Sequence, residues 1–509
     1  MPAVTRPMFE KPLCDFRFFF RERAILDSFF RGEHQFVSPL RGLGLTWFGY
    51  PRFRFAAPGA TNMPLPRSLE LFIHHMKQHI EEALQKIRLS SLRYARAERY
   101  YRGEHDLAFA SEKFENTFGT LFREFAMNLC PAVCDAVKDK LIVRGFTVET
   151  VGEGASVDDA HGRTRETWRR NRMQVRAGEI HKEAVTTGDA YAFVWPDEGG
   201  RPVIYPNRAA SCAVEYDAER PGLITRAAKI WHSADGRVRV NLFYPDRIEK
   251  YVSSKTANSI PEASDFAAFG GDGPHVVPNP YGIVPVFHFA NNGEVGAGGR
   301  SELEAVIPIQ DGLNKSVLDM LVAMEFSAYR QRWAAGIEIE YDHETGKPIA
   351  PFKAGVDHLW ISQNPEAKFG DFNTAELEQF LKVKDSFRID IASVTGTPLH
   401  YLMPFTEGFR SGEAFRKAEA RFISKVRSRQ QEFGQVWADV MSFALRVSGV
   451  DASVAVQWED AAPLSEKERL ELILLKKEIG ISEEQALSEA GYGGADASDL
   501  SMLEDPARP

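Results

Sequence analysis

Two long helical patterns separated by a short β excursion restrict this chain more than any other feature. After Ser301 the apolar residues Leu303, Val306, Leu313, Val317, Leu321 and Met324 recur at three-and-four spacing. That spacing predicts a helix of about 40 Å at 1.5 Å per residue, too long for a small compact domain. Gly336 stops it. A β segment follows, with Ile337–Tyr341, a turn at Glu344-Thr345-Gly346 and Leu359–Ile361, before Ala375–Val394 becomes helical again.

A third long helix is predicted from a cap at Ser411 to Ser448, with Phe415, Ala418, Phe422, Phe433, Val440 and Ala444 on one face. Lys417, Arg421, Lys425 and Arg429 fall every four residues along it and form a candidate basic stripe. The competing reading is a solvated face with pairs such as Glu413 to Lys417. Between Gly396 and Gly412 lies a loop marked by Pro398, Pro404 and Gly408 and carrying several aromatics. After Gly449 come a strand at Val454, Val456 and Trp458 and two short helices, each with a capping box: Ser465 with Glu468, and Ser482 with Gln485.

The first half has a different character. A helix is predicted over Ser68–Tyr101, with Leu71, Phe72, Ile80, Leu84, Ile87, Leu92 and Tyr94 as its apolar positions. A second begins at Pro131 and carries Val133, Val137 and Leu141, and a third spans His161–Thr187 with Trp168, Val175 and Ile180. Strands are predicted at Ala190–Trp195, Pro202–Tyr205, Cys212–Tyr216, Arg226–Trp231, Arg237–Phe243 and Arg247–Val252, in one antiparallel sheet packed by the helices. The class is therefore α+β. Residues 253–280 read as a long surface loop, and residues 1–62 lack any sustained period, as a loosely attached extension or translated upstream sequence would.

Composition removes several function classes. With 509 residues, 44% of them hydrophobic, the chain can hold several cores. No run approaches the roughly 18 apolar residues of a membrane span, and Arg17 and Arg21 interrupt Phe16–Phe20, so neither a membrane role nor a secretory signal is expected. Four cysteines fit a reducing compartment; Cys130 and Cys134 read as buried thiols, and His74, His75 and His79 as a solvated helix face rather than a metal site. A net charge of -9 disfavours tight, static DNA binding, which relies on a basic excess.

Catalytic motifs are missing. The one Gly-Lys pair, Gly346-Lys347, runs into Pro348 and cannot be a phosphate loop, and no H-E-x-x-H or G-x-S-x-G motif occurs. Asp311, Asp319 and Glu325 read as solubilising charges along one helix. Neither an enzyme nor a cofactor is expected.

Four stretches together resemble the portal proteins of long-tailed phages, the family typified by the Bacillus phage portal and common among actinobacterial phages. The first is Tyr100-Tyr101-Arg102-Gly103-Glu104-His105, followed by Asp135-Ala136-Val137 and Arg144-Gly145-Phe146. The second runs from Gly188-Asp189-Ala190 to Trp195. The third is Gly282-Ile283-Val284-Pro285-Val286, Asn291, Gly299-Arg300-Ser301-Glu302-Leu303, Gln310-Asp311-Gly312-Leu313-Asn314-Lys315 and Gln331-Arg332-Trp333. The fourth is Thr395-Gly396-Thr397-Pro398-Leu399-His400-Tyr401-Leu402 with Ser411-Gly412-Glu413-Ala414. Their order and spacing, across residues 66–491, carry the resemblance.

The resemblance implies a dodecameric ring through which double-stranded DNA passes without sequence preference. It assigns an N-terminal extension to 1–64, an α+β wing to 65–300 and stem helices to 301–333 and 375–400. A clip falls at 334–374, a tunnel loop at 401–411, a long helix at 412–450, a strand with crown helices at 451–491 and a tail at 492–509. Phe405, Glu407, Phe409 and Arg410 would face the channel. Glu338 and Lys353 in the clip would meet the terminase large subunit and then the head-completion adaptor. Major capsid and scaffolding proteins are further implied partners, and the place is the virion's portal vertex after assembly in the host cytoplasm. Two rival readings stand beside it: a packaging ATPase or nuclease, which the missing phosphate loop opposes, and a monomeric binding module.

Overall fold

The computed structural model describes residues 67–486 apart from several short stretches, the longest being 117–125, 349–363 and 404–411. Every described residue belongs to one compact unit, which begins at Arg67. The class is α+β, and the clearest local rule is visible in the first helix. Helix α1 (Arg67–Arg102) buries Ile80, Ala83, Leu84, Ile87, Tyr94, Ala97 and Tyr100, one stripe at helical spacing. Leu92, two residues short of Tyr94, falls off that stripe and is exposed, unlike its expected place on the apolar face.

After α2 (Cys130–Lys138) and β1 (Val143–Val151), the predicted helix over 161–187 is in fact two, α3 (Val157–Arg170) and α4 (Met173–Thr187). The break is at Asn171-Arg172. Arg172 adopts φ 53°, and the buried Asn171 side chain donates to the Thr167 and Pro202 carbonyls and accepts from the Ile204 N–H. Val175, expected in the apolar face, is exposed after this change of direction.

The strands form two sheets where one was expected. Strands β2 (Asp189–Pro196), β3 (Pro202–Arg208) and β10 (Val286–Ala290) make a three-stranded antiparallel sheet in the order β10-β2-β3. The central β2 is buried at each of its first six positions, as a strand covered on both faces must be. Strands β4 (Cys212–Tyr216), β5 (Ile224–His232), β6 (Arg237–Phe243) and β7 (Arg247–Thr256) form a meander, extended by β8 (Phe266–Ala268) and β9 (Val276–Pro278), which both pair with β7. Residues 253–280 are thus not one long loop. Their two three-residue strands are held by backbone pairing to β7, which no local pattern announces.

Helix α1 seals the meander with Ile80, Leu84 and Ile87 against Ile230, Val240 and Leu242. A second core joins α2, α3, α4, the three-stranded sheet and the long helices, and Trp437 lies at its centre in contact with Trp168 and Phe289.

The remaining elements are α5 (Ile307–Ala328), β11 (Arg332–Ala335), β12 (Lys368–Asp371), α6 (Leu377–Thr395), α7 (Gly412–Val447), β13 (Ala452–Trp458) and α8 (Glu466–Glu478). Strands β11 and β12 pair antiparallel as a ribbon between α5 and α6. The ribbon strand therefore starts at Arg332, before Gly336, where helix was expected; among the described residues Tyr341 makes an isolated bridge to Pro348, and Leu359–Ile361 lies outside the described residues. Helices α5 and α6 pack closely at Gly312, where an added Cβ would come within 3.0 Å of the Phe387 ring. Helix α6 leaves Leu381, Val383, Ile389 and Val394 exposed. Strand β13 pairs with β1 and returns the chain to the first half.

Candidate functional site

Residues from all four quoted stretches meet in one polar seam at the roots of α5 and α6. The seam begins where α4 enters β2. Gly188 (φ 105°) and Gly299 let two backbones touch: a Cβ on Gly299 would lie 1.9 Å from the Gly188 carbonyl oxygen. That oxygen accepts the Asn291 N–H at 2.8 Å.

The next residue, Asp189, has a side chain 1% exposed. One oxygen accepts from the Gly299 N–H (2.6 Å) and pairs with His288 Nε2 (2.8 Å); the other accepts from Tyr94 Oη (2.7 Å) and Arg93 (2.9 Å). Burial alone would raise this carboxyl's pKa. The His288, Tyr94 and Gly299 donors outweigh burial and hold it below its ordinary value. The far nitrogen of His288, Nδ1, meets Tyr216 Oη at 2.6 Å, and the ring stacks on Tyr191.

Ten residues beyond Asn291, at Ser301, the chain turns toward α5. Ser301 Oγ donates to the Thr186 carbonyl, and the Glu302 N–H donates to the Val185 carbonyl. The Glu302 carboxylate, 9% exposed, is paired with Lys425 (2.5 Å) and Arg429 (3.3 Å) of α7 and also accepts from Asn291 Nδ2 (3.3 Å). Burial would raise its pKa too, but the two cations overcome that and hold it low. Lys425 Nζ also donates to the Thr395 carbonyl at the last turn of α6 (2.9 Å). One carboxylate and one ammonium thus tie the approach to α5, the end of α6 and the body of α7 together.

Four residues into α5 the seam continues. The Asp311 carboxylate accepts from Tyr100 Oη at 2.6 Å, and burial raises its pKa despite that bond. Gln310 bridges the Leu129 N–H and the Met127 carbonyl, and Asn314 Nδ2 meets His105 Nδ1 at 2.7 Å. His105 Nε2 faces the Tyr100 carbonyl, so a neutral ring satisfies both contacts, in keeping with burial lowering its pKa. Asp311, expected as a solubilising charge, is buried structure.

The candidate basic stripe divides. Lys417 and Arg421 are exposed, whereas Lys425 and Arg429 turn inward onto Glu302. Phe405, Glu407, Phe409 and Arg410 lie outside the described residues, as do Glu338 and Lys353. Cys130, Cys134 and Cys212 are buried thiols, and His79 is hydrogen-bonded to Tyr244 Oη. His74 and His75 have side chains outside the description. Among the described residues no group of three or more His, Cys, Asp or Glu is arranged to hold a metal ion, and no helix is long and apolar enough to cross a membrane. Asp189, His288, Glu302 and Asp311 were not singled out as site residues by sequence, although three of them stand in the quoted stretches.

The sequence pattern of the family described as "Phage portal protein, SPP1 Gp6-like" matches residues 89–491. The chain belongs to this family of phage portal proteins. The portal proteins of Mycobacterium phages L5 and D29 are 24% and 25% identical to it over 326 residues, 62% of this chain. The match spans 63% of the length of each of these relatives. Among solved structures, a chain in the neck of an empty GTA particle computed with C6 symmetry has a TM-score of 0.45 at 13% identity, covering 74% of this chain and 93% of that one. A chain in the virion of a native gene transfer agent particle has a TM-score of 0.41 at 13% identity, covering 71% and 88%. The portal family match begins inside α1 and ends beyond α8, so it takes in the whole polar seam.

Proposed function

We propose that this chain is the subunit of a ring at the capsid vertex, through which double-stranded DNA is packaged and later ejected, and that it is a structural conduit rather than an enzyme. The observation that carries the reading is the portal family match over residues 89–491. The fold supports it physically. Helices α5 and α6 pack against each other and flank a small ribbon in the chain, and α6 leaves four large aliphatic side chains exposed, apolar area that neighbouring copies in a ring would cover.

In this reading residues 301–333 and 375–400 are the stem, 334–374 the clip that docks the terminase motor and then the head-tail adaptor, and 401–411 the tunnel loop. The ring is homo-oligomeric, dodecameric by family resemblance, and also meets capsid and scaffolding proteins. Its residence is the virion vertex after assembly in the host cytoplasm. The polar seam fixes the stem to the wing, so that DNA is handled by a rigid frame and a few loop residues. A net acidic subunit suits that task, because strong phosphate contacts repeated around a ring would stall DNA.

The test is assembly of heads without this chain, with the chain, and with E338A/K353A. The first should be empty of DNA and the second filled. The clip variant should assemble yet fail to retain the motor in a pull-down. DNA-filled heads lacking the chain would refute the function, and normal motor retention by the variant would refute the clip assignment.

A further inference from the structure

The α3–α4 junction concentrates exposed positive charge. Between 163 and 176 stand Arg163, Arg165, Arg169, Arg170, Arg172 and Arg176 with one acid, Glu166, in a chain of net charge -9. Three of these arginines have structural work. Arg163 pairs with Asp159 and donates to the Ser448 carbonyl, Arg170 pairs with Asp197, and Arg176 donates to the Ile204 carbonyl. The other three, Arg165, Arg169 and Arg172, are exposed, and their side chains make no ion pair or hydrogen bond within the described residues.

Arg172 supplies an independent observation. It sits at φ 53°, ψ 37°, a left-handed conformation that is costly for any residue with a Cβ and that glycine takes freely. The turn itself is held by Asn171, whose amide is fully engaged, so nothing in the local fold requires an arginine at 172. A strained residue whose side chain has no internal use is a reason to look for an external one. The helix dipole accounts for cations in the last turn of α3, Arg169 and Arg170, but not for Arg165 in mid-helix or Arg172 beyond its end.

We propose that Arg165, Arg169 and Arg172 form a contact site for the phosphate backbone of duplex DNA on the wing, additional to any contact within the channel. The choice of DNA as the polyanion rests on the conduit reading above. Arg165 and Arg169 are one helical turn apart, roughly 6 Å along the axis, and so present a row of charge to a polymer carrying one phosphate every ~3.4 Å of each strand. All three are arginines, whose planar forks bind phosphate oxygens in pairs. Asp158 and Glu166 share the α3 surface with Arg165 and Arg169. They weaken the attraction, so the contact is transient and carries no base readout.

The test is fluorescence anisotropy of the full chain with short labelled duplexes of unrelated sequence, over a range of salt. R165A/R169A/R172A should weaken binding about tenfold at low salt and flatten the dependence of log K on log salt concentration by about 0.9 for each phosphate no longer neutralised. The triple lysine variant should retain most of the binding. R172G alone should weaken binding while its melting temperature holds or rises, because glycine relieves the backbone; a purely structural arginine would not separate the two readouts. Unchanged duplex affinity in the folded triple alanine variant overturns the proposal. So does a wild-type chain that ignores duplex DNA but retains poly-glutamate, which would point to an acidic protein partner. The conduit reading fails separately: arginine-dependent DNA binding by a chain that never forms rings sinks that reading and leaves this site standing.

Discussion

Replacing Glu302 by Gln tests the seam at its most loaded point. The substitution keeps the shape and one oxygen but removes the charge facing Lys425 and Arg429, whose side chains are 17% and 7% exposed. Breaking a buried pair by removing one partner costs about 3–5 kcal/mol, because the remaining charge stays desolvated. Lys425 is partly open to water and keeps the Thr395 carbonyl, and Arg429 keeps Glu432 at 3.2 Å, so the lower end of that range applies. A loss of about 3 kcal/mol shifts the folding equilibrium more than a hundredfold. The assay is urea unfolding of wild type and E302Q, with hydrogen exchange followed at 395–403, where α6 ends and Lys425 is anchored. The variant should unfold at lower urea, and protection in 395–403 should fall before that of α1. A midpoint within about 0.5 kcal/mol of wild type, with unchanged protection, would refute the reasoning.

Three further outcomes are expected. His181 is fully buried, accepts from Trp437 Nε1 at 2.8 Å, and has its pKa lowered by burial to about 3. The unfolded ring titrates near ~6.5, so His181's contribution is complete above that pH and is lost as pH falls toward 3, by roughly 4–5 kcal/mol in all; H181Q, which keeps an acceptor but does not titrate, should flatten that slope in pH-dependent unfolding. G312A should destabilise the α5–α6 pair by about 1 kcal/mol, since overpacking against Phe387 exceeds the gain in helix propensity, a change readable as a lower melting temperature. F405A/F409A/R410A should leave assembly intact and reduce the DNA retained in heads, because contacts that stack on bases or touch backbone tolerate any sequence; DNA content is the measurement, and collapse of the assembly would show that the loop is structural.

What the sequence disclosed follows from how local each signal is. Strands Cys212–Tyr216 and Arg237–Phe243 were legible end to end, because short runs of strand-favouring residues are encoded within a few positions. Helix α7 was legible for the same reason, its buried Phe422, Phe433, Val440 and Ala444 repeating at helical spacing. The α3–α4 break was not, since neither Gly nor Pro marks it and an arginine occupies the left-handed position. Strands β8 and β9 exist only through their pairing with β7. The seam was the least legible part. Asp189 meets His288 across 99 residues, Tyr100 meets Asp311 across 211 and Arg429 meets Glu302 across 127, and no periodicity spans such distances. The four-residue basic series was visible, but which half of it faces inward depended on where Glu302 lands.

The central claim is that copies of this chain close into a ring around a DNA-sized channel, and particle shape tests it most directly. Negative-stain electron microscopy of the purified full chain should show closed rings of uniform subunit number with a central opening, and native mass measurement should return a single assembly, a dodecamer by family resemblance. Monodisperse monomers, or open filaments that never close, would contradict the account.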